Sequence, residues 1–188
     1  MPNNVFVLCT GRCGSTTFVK AAKHMTNFTA GHETRTNRLG AARLDYPDRH
    51  IEADNRLSFF LGKLNARWGD NAHYVHLSRD RLGVASSFEK RPPWRGNIVT
   101  TYRRAILAGK VENVSDLDVC LDYVDTVTAN IESFLSDKTH VFRMTLENAN
   151  SDFDRFWDWI GAEGARDSAL AEWNTKYNKT KSNTNVQV

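Results

Sequence analysis

Residues 5–18 read VFVLCTGRCGSTTF, and this stretch decides the fold. Its first part is a short apolar run of the kind that forms a buried strand in a parallel sheet. Its second part is a loop of Gly, Arg, Ser and Thr that leads into a helix-compatible sequence. Gly11 and Gly14 allow the backbone to turn tightly and to approach a ligand. The stretch therefore predicts a strand, a turn and a helix whose N-terminal amides bind an anion, most simply a phosphate.

The side chains of the loop suit the same ligand. Arg12 adds a fixed positive charge, and three successive hydroxyl residues add hydrogen-bond donors. The predicted anion-binding segment consists of Arg12, Cys13, Gly14, Ser15, Thr16 and Thr17.

Composition narrows the class of protein. A chain of 188 residues predicts one domain over 1–188, with a polar tail from about 174 to 188 that we expect to be partly disordered. The net charge of +3 is too weak to indicate nucleic-acid binding. No apolar run approaches the roughly 20 residues of a membrane span, and MPNN at the N-terminus does not resemble a signal peptide. We therefore expect a cytoplasmic protein without nucleic-acid or membrane partners; the sequence carries no signal for its oligomeric state.

Apolar periodicity further along the chain predicts alternating strands and helices. Later strands are expected at Asn27–Gly31, His50–Ala53, His73–Ser78 and Thr139–Arg143. Helices are expected over Thr16–Met25, Leu57–Trp68, Leu82–Glu89, Thr100–Ala108 and Ser115–Leu135, and around Phe153–Ile160. This alternation predicts an α/β fold of three layers, in which helices cover both faces of a parallel sheet of about five strands.

Four polar segments follow predicted strands. They are 10–15, 31–35, 53–56 and the pair Arg79-Asp80. Ligands of open parallel sheets bind outside the carboxyl ends of the strands, so we expect all four segments to line one cleft.

The first loop differs from the P-loop of nucleotide kinases and nucleoside triphosphatases, which requires Gly-Lys followed by Ser or Thr. Here Ser15 follows Gly14, and the cation, Arg12, precedes that glycine. The sequence TGRCGSTT resembles the 5′-phosphosulfate loop of sulfotransferases that use 3′-phosphoadenylyl sulfate (PAPS). The resemblance implies a P-loop-like fold and PAPS as co-substrate. A nucleotide kinase or nucleoside triphosphatase remains the alternative enzyme.

A second segment, HLSRDRLGVASSF at 76–88, carries Arg79 and Ser87 eight residues apart. It is similar to the segment with which the same family binds the 3′-phosphate of the cofactor. The resemblance assigns that role to Arg79 and Ser87. The alternative is an ordinary surface pair of Arg79 with Asp80 and a solvated Ser87.

A third segment, GHETR at 31–35, is similar to the segment that carries the general base of protein-tyrosine sulfotransferases. The resemblance assigns the base to Glu33 and places Arg35 beside the acceptor. In an extended segment Glu33 and Arg35 would point to the same side, and His32, a weaker candidate base, would face away. A surface ion pair between Glu33 and Arg35 is the alternative.

One position departs from that family. Tyrosylprotein sulfotransferases carry a lysine before an aspartate after the third strand, and here Ala53 precedes Asp54. Arg35 or Arg56 would then have to supply the charge, or Arg12 would act alone. Glu52 and Asp54 become further candidate bases, although a helix cap or a surface acid explains them equally well. The missing lysine also leaves a non-catalytic binding module open.

The resemblance implies in-line transfer to a hydroxyl or amine acceptor without a metal. A small molecule, a carbohydrate or a peptide would each suit as acceptor. Trp94 is a weaker candidate for covering adenine or acceptor, and Asn178 and Lys179 are candidates for a basic segment over the cofactor.

Overall fold

The computed structural model describes residues 4–91, 96–109, 112–175 and 177. Within them, five parallel strands form one sheet in the order β2-β3-β1-β4-β5. The strands are β1 Asn4–Leu8, β2 Thr29–His32, β3 His50–Ala53, β4 Ala72–Ser78 and β5 Val141–Thr145. β1 lies at the centre of the sheet, and all five of its residues are buried, as expected for an apolar strand that is covered on both faces.

Helices cover both faces of the sheet. In the described residues they are α1 Ser15–Ala22, α2 Leu61–Trp68, α3 Arg81–Glu89, α4 Ile98–Thr101, α5 Asp116–Leu135, α6 Ala149–Trp159 and α7 Arg166–Ala171. On one face Phe18 of α1 packs against Phe153 of α6, with ring centroids 5.2 Å apart. On the other face Trp68 of α2 packs against Phe6 of β1 at 5.4 Å. The predicted three-layer α/β fold with a five-stranded parallel sheet is confirmed.

The strand order fixes where a ligand can bind. The chain passes from β1 to β2 and β3 on one side, then crosses to β4 and β5 on the other side. Connections that leave β1 and its neighbours in opposite directions open a crevice at the carboxyl ends of these strands. The loop that follows β1 lies at this crevice.

The longest helix begins as its sequence predicts. The Ser115 hydroxyl accepts a hydrogen bond from the backbone N–H of Asp118 at 3.1 Å, and the Asp118 carboxylate accepts one from the Ser115 N–H at 2.9 Å. This reciprocal cap satisfies two amides at the start of α5.

The helix predicted over Leu57–Trp68 is two helices. A 3-10 helix covers Asn55–Phe59, and α2 follows it. The Asp54 carboxylate accepts the backbone N–H of Arg56 at 2.8 Å and starts the tighter turn. The apolar stripe that starts at Leu57 indicates one continuous helix. The cap at Asp54, three residues earlier, instead starts a separate 3-10 helix.

Two further elements differ from expectation. The helix predicted over Thr100–Ala108 starts earlier, as α4, and continues as a π-helical turn over Tyr102–Ile106. The short helix α7 was not predicted from the sequence. Arg166 anchors it through ion pairs with Asp154 at 2.7 Å and Asp158 at 2.6 Å. Such tertiary contacts are invisible to apolar periodicity.

Candidate functional site

The loop between β1 and α1 follows a backbone path that few residues can adopt. Arg12 has a φ of 62° and Gly14 a φ of 92°, both in the left-handed region. The φ of Gly14 strains any other residue, and a Cβ there would also lie 2.7 Å from Cδ1 of Leu146, so the position favours glycine. For Arg12 this conformation costs on the order of 1–3 kcal/mol, and such strain is concentrated at ligand sites.

Arg12 of this loop feels the positive charge of two other arginines. Burial lowers the pKa of Arg12, and the neighbouring charges of Arg91 and Arg79 lower it further. Arg79 also donates from Nη1 to the backbone oxygen of Arg12 at 3.2 Å. Like charges held this close repel each other, so an anion placed among them would stabilise the cluster.

Ser87 reaches the same cluster from α3. Its Oγ accepts a hydrogen bond from Nε of Arg12 at 2.9 Å. The structure therefore brings Arg79 and Ser87 together at the first loop, as the spacing of the two residues suggests. Asp80 has another partner: its carboxylate accepts the backbone N–H of Gly83 at 2.6 Å and caps α3. That Arg79 and Ser87 bind a phosphate stays a prediction.

Cys13 supports the loop from the inside. Its Sγ is buried and lies 3.2 Å from Oγ1 of Thr10. Burial raises the pKa of the Cys13 thiol to about 11. A ligand in the loop would therefore meet the main chain of Cys13. Thr17 is also buried, whereas Ser15 and Thr16 are partly accessible at the start of α1.

His32 faces the start of α1. Its Nε2 lies 3.0 Å from Oγ of Ser15, the first residue of that helix. The expectation that 31–35 is extended throughout is wrong. β2 ends at His32, and Glu33 has a φ of 55°, so the chain turns sharply at this point. The left-handed turn redirects the side chains that an extended strand would alternate.

Glu33 forms an ion pair with Arg56. The distance from Arg56 Nη1 to Glu33 Oε2 is 2.7 Å, and both side chains are partly exposed. The Arg35 guanidinium instead lies 5.8 Å from the centre of the Tyr46 ring. The alternative interpretation, a surface ion pair between Glu33 and Arg35, is therefore wrong, since Glu33 pairs with Arg56 and Arg35 lies over Tyr46. Arg56 supplies the positive charge beside Glu33.

Position 53 adjoins this pair. The backbone N–H of Glu33 donates to the backbone oxygen of Ala53 at 3.1 Å. The residue whose carboxylate pairs with Arg56 is therefore bonded through its backbone to position 53.

Glu52 holds the turn that carries Glu33. Its carboxylate is fully buried and accepts the backbone N–H and the hydroxyl of Thr34, both at 2.7 Å. His50 contacts the same carboxylate through Nε2 at 3.0 Å. Burial pushes the pKa of Glu52 upward, but the hydrogen bonds from His50 and Thr34 together outweigh burial and lower the pKa. A Cβ on Gly31 would lie 2.9 Å from Glu52 Oε2, which explains a glycine there.

Asp54 is buried as well. It forms an ion pair with the buried guanidinium of Arg43 and caps the 3-10 helix through the backbone of Arg56. Burial raises the pKa of Asp54 against the opposing effect of Arg43. The interpretation of Glu52 and Asp54 as surface acids is wrong, because both are buried. The interpretation of Asp54 as a helix cap is confirmed. Both carboxylates are buried and hold the backbone of the segments that carry Glu33 and Arg56.

Two residues of the site were missed from the sequence. Arg91 lies four residues after Ser87, about one helical turn further on, and that spacing is a usable signal. Tyr123 of α5 is buried and donates its hydroxyl to the backbone oxygen of Thr10 at 2.9 Å. No local pattern connects Tyr123 to a loop that lies 113 residues away.

The described part of the chain holds neither a metal-binding group nor a membrane-spanning helix. Across 4–91, 96–109, 112–175 and 177, no group of three or more His, Cys, Asp or Glu side chains is arranged to hold a metal ion. No helix in these ranges is long and apolar enough to cross a membrane. The candidates Trp94, Asn178 and Lys179 lie outside the described residues.

Comparison with known proteins bears on the fold. No protein-family model matches the sequence, and no curated protein matches it. Among solved structures, the chain is similar to a sulfotransferase domain from the curacin biosynthetic pathway, with a TM-score of 0.64. The match covers 94% of this chain and 79% of that chain at 13% sequence identity. The protein therefore shares the fold of a sulfotransferase domain.

Proposed function

We propose that the protein is a PAPS-dependent sulfotransferase that transfers a sulfuryl group to a hydroxyl or amine acceptor. One observation carries this proposal: Arg12 of the left-handed loop before α1 donates to Ser87 of α3 and accepts from Arg79, so the two predicted anion-binding segments meet at one residue. A ligand with two separate anionic groups would satisfy a cluster that spans the loop and α3. The fold shared with a sulfotransferase domain supports the same conclusion.

The residue types favour PAPS over a nucleoside triphosphate. A P-loop enzyme places a lysine on the terminal phosphates and a hydroxyl on magnesium, and no lysine follows Gly14 here. In the proposal, the amides and hydroxyls of Ser15 and Thr16 hold the 5′-phosphosulfate. Arg79, Arg91 and Ser87 hold the 3′-phosphate, which ordinary adenine nucleotides lack.

The reaction forms a bond between sulfur and the acceptor atom and breaks the bond between sulfur and the bridging oxygen of the phosphosulfate. Glu33 takes the acceptor proton, and the bisphosphate product leaves with the negative charge. Arg12 lies where it can stabilise that charge, an effect worth about 3 kcal/mol for a well-placed donor. Phosphoryl transfer is the nearest chemical analogy, in which positioning and charge stabilisation also dominate.

Arg56 takes the role of the absent lysine in this scheme. Its guanidinium is 2.7 Å from the carboxylate of Glu33, whose backbone N–H bonds to the backbone oxygen of Ala53. An arginine that reaches this place from the following turn delivers positive charge to the same side of the cleft. The acceptor, whether small molecule, carbohydrate or peptide, would enter beside the ion pair of Glu33 and Arg56.

Ala53 also supports a second candidate function, a binding module without transferase activity. The two functions separate in one assay. The protein is incubated with sulfur-35-labelled PAPS and a panel of alcohols, phenols, amines, glycans and tyrosine peptides, and label transfer and release of the bisphosphate are measured. A transferase labels at least one acceptor class, and Glu33→Gln abolishes the labelling. A binding module binds the bisphosphate but releases none from PAPS.

A further inference from the structure

The contact between His32 and Ser15 joins two parts of the proposed site. His32 is the last residue of β2, and Ser15 opens α1 at the phosphate loop. Nε2 of His32 and Oγ of Ser15 are 3.0 Å apart, which is hydrogen-bond distance. The bond crosses from the segment that carries Glu33 to the segment that would hold the 5′-phosphosulfate.

The direction of this hydrogen bond decides what Ser15 can do. A serine hydroxyl has one proton to donate and two lone pairs that accept. If Nε2 of His32 carries no proton, Ser15 donates to the imidazole and its proton points away from a ligand. If Nε2 carries the proton, the imidazole donates to Oγ and the Ser15 proton is available. Phosphate oxygens without protons only accept, so Ser15 can donate to a bound phosphate only in the second arrangement.

We propose that His32 is a positioning residue of the anion site, which fixes the Ser15 hydroxyl as a donor to the 5′-phosphosulfate. In the ligand-bound protein His32 carries its proton on Nε2 and donates to Oγ of Ser15. This inference rests on the proposed function, because it requires an anion in the loop. It gives His32 a task that is separate from proton transfer at Glu33.

A double-mutant cycle tests the coupling. Ser15→Ala, His32→Leu and the double variant are titrated by calorimetry with adenosine 3′,5′-bisphosphate, 5′-AMP and 3′-AMP. Each single variant should bind the bisphosphate and 5′-AMP about tenfold more weakly, in the range of one hydrogen bond to a charged group. The double variant should lose no more than Ser15→Ala alone, because His32 acts on the ligand only through the Ser15 hydroxyl. Binding of 3′-AMP, which lacks the 5′-phosphate, should not change.

His32→Gln is the matched control. Its side-chain amide retains an N–H that can donate to Ser15, so it should recover most of the affinity that His32→Leu loses. A purely structural role of the ring would leave the glutamine variant as weak as the leucine variant, and that result would overturn the inference. Additive losses in the cycle, or wild-type affinity of His32→Leu, would overturn it as well.

The tautomer is directly observable. Long-range proton–nitrogen NMR spectra of the nitrogen-15-labelled protein report which ring nitrogen of His32 carries hydrogen. With the bisphosphate bound, the proton should be on Nε2; an unprotonated Nε2 in that complex contradicts the inference. If wild-type protein binds neither the bisphosphate nor 5′-AMP, the proposed function fails together with this inference. If wild type binds both and only the coupling or the tautomer disagrees, this inference alone fails.

Discussion

Nε of Arg12 donates a 2.9 Å hydrogen bond to Oγ of Ser87, so the loop between β1 and α1 meets α3 through one guanidinium across 75 residues of sequence. Nη1 of Arg79 donates to the backbone oxygen of Arg12 at 3.2 Å. The two motifs that the sequence presents separately therefore form one site. A ligand that binds one of them lies within reach of the other.

Replacement of Glu33 by Gln tests the general base. The amide keeps the size of the side chain but cannot take a proton, so transfer should fall by about 10²–10⁴-fold. Affinity for the bisphosphate should stay nearly constant, because Glu33 pairs with Arg56 and not with the arginine cluster. Turnover is followed as bisphosphate release and affinity by calorimetry. Unchanged turnover in Glu33→Gln would rule out Glu33 as the base.

Variants of Arg56 and Arg35 test which arginine supplies the positive charge that the lysine absent at position 53 would provide. Both are arginines near Glu33, but only Arg56 contacts its carboxylate, whereas Arg35 lies toward Tyr46. Loss of a cation that stabilises transition-state charge costs about 10²–10³-fold in rate, so Arg56→Gln should lower transfer on that scale. Arg35→Gln should have a clearly smaller effect on the rate under saturating PAPS. The reverse order of the two effects would assign the lysine's role to Arg35.

Gly31 and Gly62 compare a crowded glycine with an open one. A Cβ at position 31 would overlap Cγ2 of Thr34 and lie 2.9 Å from Glu52 Oε2, whereas a Cβ at position 62 meets nothing within 4 Å. Gly31→Ala should destabilise the protein by about 1–3 kcal/mol in urea unfolding. Gly62→Ala, within α2, should stabilise it by about 0.5–1 kcal/mol. Equal effects at the two positions would show that the Glu52 network does not hold the turn rigidly.

His73 predicts a dependence of stability on pH. Burial, followed by repulsion from His140, lowers its pKa from 6.5 to about 4. The unfolded chain therefore binds more protons between these two values, and the free energy of unfolding falls as the pH drops from 6.5 toward 4. His73→Phe preserves a ring against Trp159 and should flatten this part of the stability curve; His140→Phe should flatten it less. A curve of unchanged slope in His73→Phe would contradict the assignment.

Sequence alone predicted the framework of this protein better than the details of its site. The apolar run before Gly11 and the alternating strands and helices are local patterns, and they predicted the parallel sheet correctly. The side-chain partner of Glu33 could not be predicted from GHETR, because the segment turns at Glu33 in the left-handed conformation. That turn is held by a hydrogen bond from Thr34 to the buried carboxylate of Glu52, a contact that the local sequence does not reveal. Arg43 and Tyr123 act through tertiary contacts, to Asp54 and to Thr10, that leave no local pattern.

The most direct test of the central claim is a calorimetric comparison of adenosine 3′,5′-bisphosphate with 5′-AMP, in wild type and in Arg79→Ala, without added magnesium. The two ligands differ only in the 3′-phosphate. Hydrogen bonds to a charged group contribute about 1.5–3 kcal/mol each, so wild type should bind the bisphosphate at least about tenfold more tightly than 5′-AMP. Arg79→Ala should lose most of that preference. Equal affinity of wild type for both ligands, or tight binding only of ATP with magnesium, would contradict a PAPS-dependent sulfotransferase.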